Sequence, residues 1–166
     1  VESPMGSRKS MYVLTPAGSE LFDVINAIGN WGKRWIDMRH NLDSAKENLL
    51  IWDIRRNLRM EYFPINTAVL QINITDVPKK TSNWWFIFDG KERPDVGYLD
   101  PSLDVDLYIE TSLSSLTKVW LGESKYLNES KAGTFQIEGS QKLIETFESW
   151  FGSSNFASIP KFAIAS

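Results

Sequence analysis

The chain has 166 residues, of which 42% are hydrophobic and 13% aromatic, so it carries enough apolar material to bury a sizeable core. Its formal net charge of −3 is the opposite of the basic balance typical of surfaces that bind nucleic-acid phosphates. The absence of cysteine and the presence of a single histidine exclude disulfides, thiolate chemistry and metal sites built on cysteine or on clustered histidines.

The opening residues combine a polar tip with a short apolar segment. Residues 1–11 are rich in Ser, Gly and Pro and predict a wing-like loop, while residues 12–14 predict a strand. Arg8 and Lys9 lie in the polar tip, where two cations either contact DNA or face solvent. The residues themselves leave both interpretations open.

A long amphipathic helix is predicted over 16–38. Thr15 can accept a hydrogen bond from an orphan backbone N–H, and Pro16 suits the first helical turn, where no donor is needed. Gly29 and Gly32 each cost about 1 kcal/mol relative to alanine, which indicates close approach of a neighbouring helix or a kink. Apolar residues at three- and four-residue spacing form one stripe: Leu21, Val24, Ile25, Ile28, Trp31 and Trp35.

This segment resembles the end of the winged-helix domain in HxlR-type bacterial transcriptional regulators. There, a wing strand leads through Pro-x-Gly into a long helix that ends in Trp-Gly-x-x-Trp. The positions that match are Tyr12, Leu14, Thr15, Pro16, Gly18, Trp31, Gly32 and Trp35. The resemblance implies the C-terminal part of a larger protein that binds DNA through a missing N-terminal part, with Arg8 and Lys9 as wing contacts. It also implies a homodimer whose interface contains Ile28, Gly29, Gly32 and Trp35.

Residues 41–64 are predicted to connect this helix to the rest of the chain. Ser44 and Glu47 form a capping box, in which the two side chains satisfy backbone donors at a helix start. The helix predicted from this box covers 45–59. Its apolar face consists of Leu50, Ile54 and Leu58.

Beyond Pro64 the hydrophobic pattern changes to the two-residue period of half-buried strands. Five strands are predicted: 68–75, 84–88, 96–99, 105–110 and 134–138. Helices are predicted over 112–121 and 126–132, followed by one final helix that begins at Ser140. The residues of this last helix that are expected to face inward are Leu143, Ile144, Phe147, Trp150 and Phe151.

The order of elements between 104 and 139 is similar to that of sterol carrier protein type domains. The positions that carry the similarity are Asp106, Leu107, Trp120, Gly122, Gly133, Ile137, Glu138 and Gly139. Those domains contain a sheet of about five strands, helices on one face, and an apolar tunnel between the two layers. The resemblance covers about 100 residues, 65–165, and some HxlR-like regulators carry such a domain behind the winged helix.

The two resemblances together imply an α+β fold in three parts. Residues 1–40 would be the remnant of a winged helix, with a wing strand and a long dimer helix. Residues 41–64 would be the connecting helix, and residues 65–166 a sterol-carrier-like sheet with helices packed on one face.

Aromatic residues of the second half are the candidates for an apolar pocket. The chain contains seven tryptophans, and indoles suit a wall that is apolar but has a polar tip. Ordinary core packing explains each aromatic residue equally well on its own. The candidate pocket residues are Trp84, Phe86, Phe88, Trp120, Phe135, Phe147 and Trp150.

The function expected from these observations is effector sensing by a bacterial transcriptional regulator, with an apolar small molecule bound between sheet and helices. A lipid carrier without a regulatory role and a ligand-free dimerisation domain are the alternatives. We expect no catalytic residues, since Asp104, Asp106 and Glu110 on one strand fit a solvated face better than an acid–base pair. We also expect no cofactor, no metal, no membrane span and a cytoplasmic location.

Overall fold

The computed structural model describes residues 14–35, 46–63 and 67–160. The helices in these ranges are α1 (Pro16–Trp35), α2 (Lys46–Asn57), α3 (Leu113–Trp120), α4 (Tyr126–Lys131), α5 (Gln141–Glu145) and α6 (Phe147–Phe151). The strands are β1 (Ala68–Ile74), β2 (Asn83–Phe88), β3 (Asp95–Gly97), β4 (Leu107–Thr111) and β5 (Phe135–Gly139). Single 3₁₀ turns occur at Met60–Tyr62 and Lys79–Thr81.

The five strands form one mixed sheet in the order β3-β2-β1-β4-β5. The central pair, β1 and β4, is parallel, and the other three pairs are antiparallel. The predicted α+β class with a sheet of five strands and helices is therefore confirmed. Gly139 ends β5 at a φ of 122°, where a Cβ atom would lie 2.3 Å from the Asp106 carbonyl oxygen, so only glycine fits there.

One face of the sheet is covered by helices. Its side chains alternate along each strand and match across strands; Leu70, for example, lies between Phe86 on β2 and Leu107 on β4. The inward-facing residues, all at most 4% exposed, are Ala68, Leu70, Ile72, Ile74, Trp84, Phe86, Phe88, Leu107, Ile109 and Phe135. The predicted alternation of Trp84, Phe86 and Phe88 is confirmed. The opposite face carries half-buried polar residues, such as Asn73, whose Nδ2 donates to Oε2 of Glu110 at 3.3 Å.

Helix α2 contributes to the same core as the sheet. Ile51 and Ile54 are fully buried, and Leu58 and Phe63, which follow the helix, are at most 9% exposed. The described part of the predicted connecting segment thus packs against the strands that follow it. At the helix start, Glu47 is 1% exposed, and no described residue donates a hydrogen bond to its carboxylate. Its predicted capping partner Ser44 lies outside the described residues.

The final helix of the prediction is two helices in the structure. Thr146 separates α5 from α6 with φ −101° and ψ 14°, values outside the helical region. Its hydroxyl donates to the Lys142 carbonyl at 2.8 Å, a local bond that competes with the helical pattern. All five residues predicted to face inward contribute to the core: Ile144 is half-buried and packs against it, and the other four are buried.

Helix α1 begins as predicted, because the Gly18 amide donates to Oγ1 of Thr15 at 3.1 Å. The helix is continuous across both internal glycines, so neither marks a break. None of its residues is buried. Residues 1–13, including Arg8 and Lys9, lie outside the described residues, and the winged-helix origin of this region stays a prediction.

Candidate functional site

The predicted pocket residues all belong to the buried core. Ring contacts that include Phe63 and Phe151 join five of them into one aromatic cluster: Phe88, Trp120, Phe135, Phe147 and Trp150. All seven are at most 4% exposed. Phe147 lies at the centre, with its ring centroid 5.7 Å from that of Phe135, 5.1 Å from that of Trp150 and 4.7 Å from that of Phe151. At these separations the rings contact each other in stacked or edge-to-face geometry.

The indole N–H groups of the three tryptophans among the predicted pocket residues donate hydrogen bonds within the protein. Trp150 Nε1 donates to the Leu143 carbonyl at 2.7 Å, and Trp120 Nε1 donates to Oδ2 of Asp53, also at 2.7 Å. Trp84 Nε1 donates to the Thr81 carbonyl at 2.9 Å. The polar tips of these tryptophans therefore stabilise the fold, and a bound molecule would have to replace these bonds in order to use them.

A cleft of about 180 Å³ opens at the edge of the aromatic cluster, between the end of α3, the start of α4 and the whole of α6. Its lining residues are Val119, Ser124, Lys125, Tyr126, Phe147, Glu148, Phe151 and Gly152. Of the seven predicted pocket residues, Phe147 lines this cleft, and a binding role for the other six stays a prediction. The sequence interpretation did not include Tyr126 and Val119, which the fold brings to the cleft beside Phe147.

The cleft combines an apolar floor with a charged rim. The rings of Tyr126 and Phe147 lie 4.8 Å apart at the floor, and Phe151 stacks on Phe147. Lys125 and Glu148 carry opposite charges at the rim. A volume of about 180 Å³ exceeds the ~150 Å³ of an engineered cavity that binds benzene, but is below the ~300 Å³ of the smaller ligand pockets.

One wall of the cleft is the turn between α3 and α4, and helix α1 contacts it. Lys33 on α1 donates from Nζ to the Leu121 carbonyl at 3.1 Å and to Oε1 of Glu123 at 2.6 Å. The Lys33 side chain is only 6% exposed. Because carbonyls at a helix C-terminus carry partial negative charge, the Lys33 ammonium also stabilises the end of α3.

The other wall is α6 with the loop that follows it. Gly152 ends α6 with a φ of 71°. Four residues later, the Phe156 ring presses on α1 at Gly29, where an added Cβ atom would lie 2.4 Å from Cζ. The sequence interpretation assigned Gly29 to a dimer interface. In the structure Gly29 permits close approach of a ring from the same chain, and its role in a dimer stays a prediction.

The apolar stripe of α1 is largely exposed to solvent. Its large side chains are between 46% and 63% exposed: Leu21, Val24, Ile25, Ile28, Trp31 and Trp35. Gly32 lies within the same stripe, one helical turn after Ile28. The helix therefore docks through a side that carries Gly29 and Lys33 and leaves its most apolar side in solvent.

Asp106 and Glu110, two of the three carboxylates considered in the sequence, accept structural hydrogen bonds, and so does Glu129 on α4. Oδ2 of Asp106 accepts from the Val69 backbone N–H at 2.8 Å. The Ser115 hydroxyl donates to Oε2 of Glu129 at 2.7 Å, and this bond, followed by one from Ser124, lowers the pKa of the Glu129 carboxyl. Within residues 14–35, 46–63 and 67–160, no group of three metal-ligating side chains comes together. In the same ranges, no helix is both long and apolar enough to cross a bilayer.

Comparison with known proteins gives distant structural likenesses. No family model matches the chain, and no curated protein matches it significantly. The chain is similar to a solved structure named UbiJ-SCP2 ubiquinone synthesis protein, with a TM-score of 0.40 and 14% identity over 82% of this chain and 96% of that one. It is also similar to the sterol carrier protein 2 like 2 of Aedes aegypti, with a TM-score of 0.45 and 15% identity over 63% of this chain and 96% of that one.

A third likeness is to the inverting sec-alkylsulfatase Pisa1 from Pseudomonas sp., with a TM-score of 0.40 and 16% identity over 66% of this chain. There the match covers only 15% of the sulfatase. Since the three TM-scores are below 0.5 and the three identities are at most 16%, these likenesses assign neither a family nor a ligand. The resemblance to HxlR-type regulators gains no support from them and stays a prediction.

Proposed function

We propose that this chain is a binding module that holds an apolar small molecule in the cleft between α3, α4 and α6. The single observation that carries this proposal is the position of the cleft, which reaches from solvent to the ring of Phe147 in the aromatic cluster. Apolar ligands are bound by concave sites lined by aromatic and aliphatic side chains with a few polar groups at the opening. The floor rings and the charged rim have this arrangement.

The size of the cleft limits which ligands it accepts. A single aromatic ring or a short alkyl segment fits about 180 Å³. A larger ligand needs α6 and the α3–α4 turn to move apart. Phe147, Trp150 and Phe151 of α6 are at most 1% exposed, whereas the residues of the α3–α4 turn are exposed or half-buried, so the turn is the more easily displaced of the two walls.

The proposal predicts that filling the cleft abolishes binding. Wild-type protein is expected to bind the uncharged fluorophore N-phenyl-1-naphthylamine with saturable enhancement of its emission. Val119→Phe adds a ring to the α3 wall and should weaken this binding at least ten-fold, because the ring occupies the site. Leu127→Phe is the matched control, since Leu127 is 49% exposed on α4 and does not line the cleft. Equal affinity in both variants, or no saturable binding by wild type, would exclude this cleft as the site.

A second copy of this chain is the partner that we propose for the α1 stripe. Six large side chains at 46–63% exposure present on the order of 600 Å² of apolar area, close to the ~800 Å² per partner of a standard interface. Charges favour an antiparallel pair: the exposed residues Glu20 and Arg34 are about four helical turns apart on one edge of the stripe. In an antiparallel arrangement, the Glu20 of each copy meets the Arg34 of the other.

A sensing role is the second candidate function, favoured by the contact of α1 with both walls of the cleft. If the chain is part of a larger regulator that binds DNA through an N-terminal region, a ligand that moves these walls would reorient α1 and that region. A ligand can shift such an equilibrium only by binding its two states with different affinities. We therefore expect N-phenyl-1-naphthylamine to change the DNA affinity of the full-length protein. If saturating fluorophore did not change the DNA affinity, the carrier function would be the one candidate that remains.

A further inference from the structure

Two contacts join helix α1 to the cleft, one on each of its walls. The first joins Lys33 to the α3–α4 turn through the Leu121 carbonyl and the Glu123 carboxylate. The same turn continues directly into Ser124 and Lys125, which line the cleft. A movement of this wall therefore moves the partners of Lys33.

The second contact joins Gly29 to the ring of Phe156. Phe156 lies in the turn that follows Gly152, the last lining residue of the opposite wall. The absence of a side chain at Gly29 is what lets the ring lie against the α1 backbone. One helix thus bridges the two walls from the outside.

The walls also contact each other directly beneath this bridge. The Ser154 amide donates to the Trp120 carbonyl at 2.9 Å, and Gly122 lies close to Ala157, with an added Cβ atom 3.1 Å from the Ala157 Cβ. These contacts hold the cleft at a volume of about 180 Å³. Any ligand larger than one ring must separate the same two walls that α1 holds together.

We propose that docked α1 is an autoinhibitory bridge, so that release of α1 and binding of a bulky apolar ligand favour each other. The inference rests on the proposed binding function and adds its regulation. Linkage is reciprocal, so removing the α1 contacts must tighten ligand binding by the same factor by which the ligand weakens α1 docking. Allosteric couplings of this kind are typically worth about five-fold or more in affinity.

The test measures the affinity for N-phenyl-1-naphthylamine in variants of the two contacts. Lys33→Ala removes the bonds to the α3–α4 turn, and Phe156→Ala removes the ring under Gly29. Each is expected to bind the fluorophore about five-fold more tightly than wild type. Asp23→Ala is the matched control, because it removes an exposed charge of the same helix almost three turns away from Lys33; its affinity should equal that of wild type.

Amide hydrogen exchange gives the reciprocal measurement. Saturating fluorophore should speed the exchange of α1 amides in wild type and have no further effect on α1 in Lys33→Ala. Equal affinities in wild type, Lys33→Ala and Phe156→Ala would overturn the bridge while leaving the binding function intact. Absence of binding in all of them would overturn the binding function and the bridge together.

Discussion

Trp150→Ala is expected to lower the free energy of unfolding by about 3–5 kcal/mol, the range for removing a buried aromatic side chain. Trp150 is fully buried, and its ring centroid lies 5.1 Å from those of both Phe63 and Phe147. It therefore connects α6 with the segment that follows α2. Since whole domains are stable by only about 5–15 kcal/mol, the variant should lose a large fraction of its stability.

Chemical denaturation followed by circular dichroism measures this loss. Trp52→Ala is the matched control, because Trp52 is 45% exposed on α2 and contacts Arg55 at the surface; its cost should be below about 1 kcal/mol. Trp150→Phe separates packing from hydrogen bonding, since it keeps a ring but leaves the Leu143 carbonyl without its indole donor. That variant should lose about 1–3 kcal/mol. Equal destabilisation by Trp150→Ala and Trp52→Ala would contradict the central position of Trp150.

Ile28→Asp is expected to convert the proposed homodimer into a monomer. Ile28 is 63% exposed in the middle of the α1 stripe, so a carboxylate there is fully hydrated in the single chain. In the antiparallel pair, the two introduced charges would be brought together in an apolar interface, where burial without a partner is costly. Light scattering coupled to size exclusion should give twice the 19.0 kDa chain mass for wild type and the mass of one chain for the variant.

Ser19→Asp controls for the added charge. Ser19 is exposed on the side of α1 opposite to the stripe, and an acidic residue in the first turn suits the helix dipole. This variant should stay dimeric. If wild type were monomeric at high concentration, or if Ile28→Asp stayed dimeric, α1 would be ruled out as the interface.

The strands and most helices could be predicted from the sequence, because their side chains obey simple periods. Trp84, Phe86 and Phe88 alternate, and the helix over 16–35 repeats its apolar residues every three or four positions. Strand order, in contrast, depends on which strands pair across long stretches of chain. The parallel pairing of β1 with β4 has no signature in either strand alone.

The candidate site was harder to predict for a related reason. Periodicity identifies residues that face inward, but it does not distinguish a ring packed against other rings from a ring that borders a cleft. The sequence predicted both Phe86 and Phe147 as pocket residues, yet only Phe147 of the two lines the cleft. Gly29 packs against Phe156, which is far along the chain. The spacing of glycines within α1 indicates a close neighbour but does not identify that neighbour as this ring.

The two outer strands of the sheet have a consequence for how the protein associates. At one border β3 has only three residues, and at the other β5 carries the exposed Glu138 and ends at a glycine that no other residue can replace. Short, charged or interrupted borders discourage strand addition from neighbouring molecules, the route that leads to amyloid. The borders of the sheet therefore disfavour open-ended polymerisation of a chain rich in aromatic residues, whereas the self-association that we propose through α1 would close after two copies.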